Sequence, residues 1–270
     1  MSSGILCGRF DPITAQELAY IRQLRRKRNW DRLIVQPDEE GILPAAQRLE
    51  LLRRALSPYR RLSACPSERA EGGLRLPAAM EEGEAEVRGG RYDKAAPGIR
   101  RILAESGIYL EETVRSLCRP RRAEHSLSVA KVCMTLARAH HLDVHRAWLM
   151  GCMHDLTKAM SDEEGRKLLA VYEPDKVGLD PKVYHSFTAP IYLRQKMGVT
   201  DPVILGAIRA HTLGTCRNDY DRILYIADKI EPTRGYDVTE EMNLSLADLR
   251  AAFDLVYREA EAYRERNTNG

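Results

Sequence analysis

Residues 144–158 read VHRAWLMGCMHDLTK, and the architecture of the larger part of the chain turns on them. Ala147, Met150 and Met153, with Leu149 and Cys152 beside them, recur at three- and four-residue steps, the period of a helix with an apolar inner face. The run ends on two polar groups, His154 and Asp155. Burying an imidazole and a carboxylate at the foot of such a helix is costly unless a partner such as a metal ion satisfies them. Neighbouring helical positions point about 100° apart. Both side chains therefore meet one ion only near the helix end, unless the aspartate reaches across to a second ion.

Outward from this run the helical period continues. Ile99–Leu117, His125–His141, Asp162–Val171, His185–Met197, Pro202–Ala210, Asp219–Ile230 and Ser245–Arg264 all carry apolar residues at i, i+3, i+4 spacing, which predicts an all-α bundle. The N-terminal part differs. Residues 4–10 (GILCGRF) and 32–36 (RLIVQ) read as buried strands, and 60–65 (RRLSAC) as a third. Thr14 is placed to cap a helix carrying Leu18, Ile21 and Leu24, and Pro44 to open one with Leu49, Leu52 and Leu56 inward. Alternating strand and helix predicts a small parallel α/β sheet of Rossmann-like type. Residues 66–98, rich in Gly, Glu, Ala and Pro and without period, read as a linker or a mobile insertion. The expected plan is an α/β domain over 1–65, that linker, a connecting helix over 99–116 and the bundle over 117–270.

A chain of 270 residues suits two domains, and 44% apolar with 30% charged residues is the composition of a globular protein. The net charge of +3 gives no ground for nucleic-acid binding. The cluster Arg25-Arg26-Lys27-Arg28 reads as a solvated helix end. No apolar stretch is long enough to span a bilayer, and the opening MSSGILCGRF lacks the features of a secretion signal, so a cytoplasmic location without membrane attachment is expected. Cys7, Cys65, Cys118, Cys133, Cys152 and Cys216 are scattered, so they are expected to be reduced and mostly buried.

Four of the seven histidines, His125, His154, His185 and His211, fall at ends or inner faces of four separate expected helices, each interval being about one helix out and back. With Asp155 and Asp228 they form a His/Asp set suited to zinc, iron(II) or manganese, and the absence of nearby cysteine speaks against a structural zinc site. A divalent ion with open positions would lower the pKa of water and polarise a phosphoryl oxygen. His140, His141 and His145 surround a polar helix junction and read as surface residues.

The ordered motifs Arg122-x-x-His125-Ser126-Leu127-x-Val129-Ala130, Met153-His154-Asp155-Leu156-Thr157-Lys158, His185-x3-Ala189, Ala207-Ile208-Arg209-x-His211-Thr212 and Tyr225-Ile226-Ala227-Asp228-Lys229-Ile230-Glu231-Pro232-x-Arg234 resemble the YqeK-type HD-domain hydrolases from about Leu117 to Tyr263. The resemblance implies a symmetrical dinucleoside tetraphosphate hydrolase that cuts diadenosine tetraphosphate into two ADP. It implies His125, His154, Asp155 and Asp228 as metal ligands, with iron as the ion and manganese as an alternative. His185 and His211 would then hold a second metal or bind phosphates. Lys158 would act with Asp155 in catalysis and neutralise the polyphosphate, and Arg122, Thr212 and Arg234 would contact the substrate. A small nucleotide is the implied partner, and a homodimer is left open. An HD-type nucleotidase or phosphodiesterase on another nucleotide, or a nucleotide-binding regulator, are the competing readings.

The N-terminal motif Gly8-Arg9-Phe10-Asp11-Pro12-Ile13, with Gln47-Arg48-Leu49-x-Leu51-Leu52-x-x-Ala55, is similar to nicotinate-nucleotide adenylyltransferases. The histidines that those enzymes place soon after the proline are absent, because this chain reads Thr14-Ala15-Gln16-Glu17. Neither Thr nor Gln supplies a cation for a developing phosphoryl charge. Ala95-Ala96-Pro97-Gly98-Ile99-Arg100 also stands where a Ser/Thr-rich nucleotide turn is expected. The expectation is a degenerate nucleotidyltransferase-like domain without adenylyltransferase activity.

Overall fold

The computed structural model describes residues 2–66 and 73–268, so residues 67–72 of the expected linker lie outside the described residues. The chain divides into two compact units, Met1–Leu110 with Lys196–Gly198 and Glu111–Gln195 with Val199–Gly270.

In the first unit, β1 (Ser3–Gly8), β2 (Arg32–Pro37), β3 (Leu62–Ala64) and β4 (Leu74–Arg75) form a sheet in the order β3-β2-β1-β4. Every pairing is parallel, with Leu6 opposite both Val35 and Leu74 and Leu33 opposite Leu62. Parallel neighbours need a crossover. Helices α1 (Ala15–Lys27) and α2 (Ala45–Leu56) supply it and bury Leu18, Ile21, Leu52 and Leu56. Thr14 caps α1 through a reciprocal box: its hydroxyl accepts from the Glu17 N–H, and the Glu17 carboxylate accepts from the Thr14 N–H at 2.6 Å. Arg26, Lys27 and Arg28 are exposed at the end of α1.

The stretch read as a linker is a correction. After β4, residues Ala78–Arg88 form helix α3, and Tyr92–Lys94 a 3-10 turn. Its composition hid it because the inner face is largely charged: Glu84 and Arg88 are buried beside the single fully buried aliphatic side chain of Val87. Arg9 Nε donates to Glu84 Oε2 at 2.5 Å, and Arg88 donates to the Asp11 carbonyl. The neighbouring loop is held by Arg48. That side chain is fully buried and donates to the carbonyls of Arg9, Asp38, Glu39 and Leu43 at 2.5 to 3.0 Å. Asp11 accepts from the Tyr109 hydroxyl and from the Ile42 and Leu43 N–H groups.

Glu17 faces Glu84 in this interior, and burial, with the second carboxylate beside it, pushes Glu17 up to about 8. A raised folded-state pKa makes this contribution full below the unfolded value, near 4.5, and lost as pH rises through about 8. Urea unfolding is therefore expected to give stability that falls with pH in that window, with a slope approaching 1.4 kcal/mol per pH unit for about one proton. Glu17→Gln keeps the capping acceptor and should flatten the curve and gain on the parent above pH 8. An unchanged pH profile in the variant would remove Glu17 as the cause.

The expected single helix over 99–116 is two pieces, α4 (Arg100–Ser106) and α5 (Leu110–Leu117). Gly107 lies between them at φ 70°, the left-handed geometry that closes a helix, and its N–H returns to the Leu103 carbonyl.

Among the described residues the second unit is all helical: α6 (Pro120–Ala139), α7 (Val144–Met153), α8 (Asp162–Tyr172), α9 (His185–Tyr192), α10 (Pro202–Ala210), α11 (Asp219–Ile230), α12 (Thr239–Ala247) and α13 (Leu249–Thr268). Asp143, Ser161, Asp201 and Asn218 cap α7, α8, α10 and α11 through their side chains. The expected helix over 245–264 is broken at Asp248, whose carboxylate accepts the Arg250 and Ala251 N–H groups and starts α13. Helix α9 widens after Tyr192 into a π-helical turn over Leu193–Met197.

Helices α6 and α7 come close at Gly151, where an added Cβ would lie 2.5 Å from Ala130 Cα. No side chain fits there, and the absence of one lets the two helices carry His125 and His154 to within 5.4 Å, centroid to centroid. All six cysteines are free; Cys118, Cys133 and Cys152 are buried and the other three half-buried. Among the described residues no helix is long and apolar enough to cross a membrane.

Candidate metal centre

His125 projects inward from α6, His154 and His211 stand at the C-terminal ends of α7 and α10, His185 begins α9, and Asp228 lies in the last turn of α11. The structure brings all of them together with Asp155. His125, His154 and Asp228 present ligand atoms within 4.8 Å of one another, as do His154, Asp155 and His211. Asp155 stands between the two groups. Its Oδ2 is 3.4 Å from His154 Nε2, and its Oδ1 is 3.3 Å from His185 Nε2 and 3.8 Å from His211 Nε2.

His154 and His211 are oriented by the same local device. His154 Nδ1 meets the Gly151 carbonyl at 2.7 Å and His211 Nδ1 the Ile208 carbonyl at 2.5 Å, each three residues back. Those contacts at a helix end place the proton on Nδ1 and leave Nε2 as a lone-pair donor toward the centre. His125 Nδ1 meets Glu231 Oε1 at 2.9 Å, and Glu231 is also held by Thr233. This carboxylate–histidine pairing is typical behind a metal ligand, where it fixes the ring and raises its basicity.

The chemistry of the donor set fits a divalent cation. His125 Nε2, His154 Nε2 and Asp155 Oδ1 are buried with no hydrogen-bond partner among the described residues. Such atoms cost stability unless an ion meets them. Burial presses His154 downward, but Asp155 and Asp228 more than offset it and draw positive charge to the ring. Asp155 stays well below the usual carboxylate range despite burial, because His154, His185 and His211 face it. Asp228 is held low against the same burial by Lys229, His125, His154 and His211. Burial pushes His185 down to about 4 and His211 well below its ordinary value, which keeps both rings neutral.

Cationic side chains ring the cluster. Arg122 Nη1 lies 3.0 Å from Asp155 Oδ2, Arg234 Nη2 3.1 Å from Asp228 Oδ1, and Lys229 Nζ 3.0 Å from Asp228 Oδ2. Lys158 Nζ reaches the Lys182 carbonyl and sits 3.0 Å from His185 Nδ1, and burial lowers its pKa. These groups line a cavity of about 220 Å³ that opens onto Asp155, His185, His211 and Asp228. Thr212 lies within the imidazole layer, with Oγ1 3.1 Å from His211 Nε2 and 3.3 Å from His185 Nε2, and it accepts from the Ser186 hydroxyl.

Sequence reasoning missed Glu231 and Lys229 as parts of the site, although both stand in the run that carries Asp228. Glu231 is recognisable only once His125 is seen to face it. Glu231→Gln is expected to weaken metal affinity about ten- to hundredfold, the usual effect of losing a carboxylate behind a histidine ligand. Competition with a chelator measures it, and affinity within twofold of the parent would contradict that role. His140 is half-buried, with Nε2 at 2.7 Å from the Ser245 carbonyl, and His141 and His145 are exposed.

A helical bundle that turns several imidazoles and carboxylates onto one buried, cation-lined point defines the class of HD-type metal centres. The HD domain family matches residues 122–233. The chain is 30% identical over 132 residues to the symmetrical bis(5'-nucleosyl)-tetraphosphatase of Bacillus subtilis, covering 47% of this chain and 71% of that protein. It is also 30% identical over 168 residues to a probable nicotinate-nucleotide adenylyltransferase/Ap4A hydrolase of Mycoplasma pneumoniae, covering 58% of this chain but 47% of the relative, so the match spans about half the length of that protein. A crystal structure of a predicted HD superfamily hydrolase involved in NAD metabolism from Clostridium acetobutylicum shares the fold, with a TM-score of 0.55 at 23% identity over 60% of this chain and 89% of that one. The chain belongs to the YqeK-type HD-domain phosphohydrolase family, with an N-terminal portion like nicotinate-nucleotide adenylyltransferases.

Proposed function

We propose that this chain hydrolyses dinucleoside tetraphosphates symmetrically, diadenosine tetraphosphate giving two ADP, at a metal centre held by His125, His154, Asp155 and Asp228. Iron is the proposed ion, with manganese able to replace it, and the cytoplasm the proposed location. The single observation that carries the reading is the buried convergence of unpaired Nε2 and carboxylate atoms beneath a wall of Arg122, Lys158, Lys229 and Arg234.

A divalent ion in that position supplies Lewis acidity and lowers the pKa of water. The chain's own groups do the rest. Arg122, Lys229 and Arg234 spread positive charge over the phosphoryl oxygens, where negative charge grows during transfer. Lys158 and His185 stand on the opposite side, where a phosphate of the other half would lie, and His211 with Thr212 closes the floor. Water's oxygen bonds to one of the two central phosphorus atoms and its proton passes to bulk water. The bond to the bridging oxygen breaks, and that oxygen departs as the terminal oxygen of the second ADP. A central cut requires the middle of the phosphate chain to sit over the cluster, with nucleotide on both sides.

Incubation of the full chain with diadenosine tetraphosphate and iron or manganese, followed by chromatography, is expected to give ADP alone. AMP with ATP in equal amounts would rule out the symmetrical cut.

A further inference from the structure

Beside the metal cluster, in the same helical unit, lies a second and larger cleft of about 590 Å³, walled by Arg119, Arg121, Arg122, Arg234 and Tyr236. Arg122 and Arg234 belong to both cavities, so the cleft opens onto the reacting centre through two guanidiniums that are themselves anchored on Asp155 and Asp228. Arg119 and Arg121 are exposed and have no ion pair among the described residues. They stand where α6 begins, an end whose N-cap makes no side-chain hydrogen bond and whose first turn carries no acid.

Tyr236 is the other unusual wall. Its side chain is 55% exposed, yet its hydroxyl is tethered to the Lys229 carbonyl. A phenol fixed at its tip and open on its ring is a plate for stacking rather than a packing residue. The cleft's carboxylates do not cancel this positive wall: Glu231 is buried and occupied by His125 and Thr233, and Glu124 lies exposed at the rim.

We propose that this cleft seats one nucleoside diphosphate half of the substrate, with the base against Tyr236 and the phosphates along Arg119 and Arg121 up to Arg122. The proposal rests on the dinucleoside polyphosphate reading and extends it to a subsite. The volume is in the range of a nucleotide-sized pocket. A ring face reads any base, because every base has a π surface, so the cleft selects for the presence of a nucleoside and only weakly for its identity. On the other flank of the cluster, Lys158 and His185 open into a separate cleft of about 350 Å³, which leaves room for the remaining half.

The test measures equilibrium binding of ADP and of inorganic tripolyphosphate to the full chain by calorimetry, in chelator, without turnover. Tyr236→Ala is expected to weaken ADP about tenfold, the size of a lost base stack, while Tyr236→Phe stays close to the parent. Tripolyphosphate should bind Tyr236→Ala like the parent and lose affinity in the Arg119→Gln, Arg121→Gln double variant. Both arginines and the tyrosine are exposed, so the fold tolerates the changes. Unaltered ADP binding by Tyr236→Ala, or unaltered tripolyphosphate binding by the arginine variant, would overturn the subsite. A chain that bound ADP through Tyr236 but failed to cut diadenosine tetraphosphate would instead sink the proposed reaction and leave the subsite standing.

Discussion

His154→Ala is expected to lose bound metal and to lower hydrolysis by a thousandfold or so, well beyond the roughly ten- to hundredfold cost of removing a group behind a ligand. Two features set this expectation. His154 Nε2 lies 3.4 Å from Asp155 Oδ2 and 3.8 Å from Asp228 Oδ1, so it shares in both candidate ligand groups. Its removal also leaves the buried Asp155 and the half-buried Asp228 with one cationic or metal-linked neighbour fewer, and that repulsion works against assembly of the site. Elemental analysis of the purified variant and its rate with diadenosine tetraphosphate measure the effect, with far-ultraviolet circular dichroism as the check that the helices persist. Full metal content with activity within tenfold of the parent would overturn the ligand assignment.

Arg48→Met is expected to destabilise the N-terminal unit by about 1–3 kcal/mol, the range for leaving backbone acceptors without their donor. Methionine fills much of the volume but donates nothing, so four part-buried carbonyls, those of Arg9, Asp38, Glu39 and Leu43, lose the donor that ties their loop together. Trp30 belongs to this unit and Trp148 to the helical one. Urea unfolding in a Trp148→Phe background thus reports on Arg48 through Trp30 fluorescence. A midpoint equal to the parent's would show that water satisfies those carbonyls as well as arginine does. None of these residues belongs to the proposed metal centre.

Much of the architecture was legible because it follows local rules. Strands over Leu33–Val35 and helices with Leu18, Ile21 and Leu52 inward announce themselves by period, and Thr14 and Pro44 mark where their helices start. Helix α3 escaped notice because what it buries is Glu84 and Arg88, and no hydropathy pattern distinguishes a charge paired inside a protein from one left in water. The breaks at Gly107 and Asp248 were written in the sequence as a helix-closing glycine and a capping aspartate, but the apolar period runs through both and overrode them. At the metal centre, spacing alone suggested that His125, His154, His185 and His211 could meet. Glu231 and Lys229 gain meaning only from the partner across the cluster, a contact of 106 residues' separation for Glu231 and His125. The chemistry of ligands is local in sequence; the chemistry of what supports them is not.

The contacts from His154 to Gly151 and from His211 to Ile208 have one more consequence. Each ring is steered by the backbone of the helix it terminates, so neither needs an ion to find its direction. Loading should therefore be closer to filling a lock already cut than to moulding one. Amide exchange along the last turns of α7 and α10 should differ little between the empty and the filled protein, and uptake of the ion should not wait on refolding.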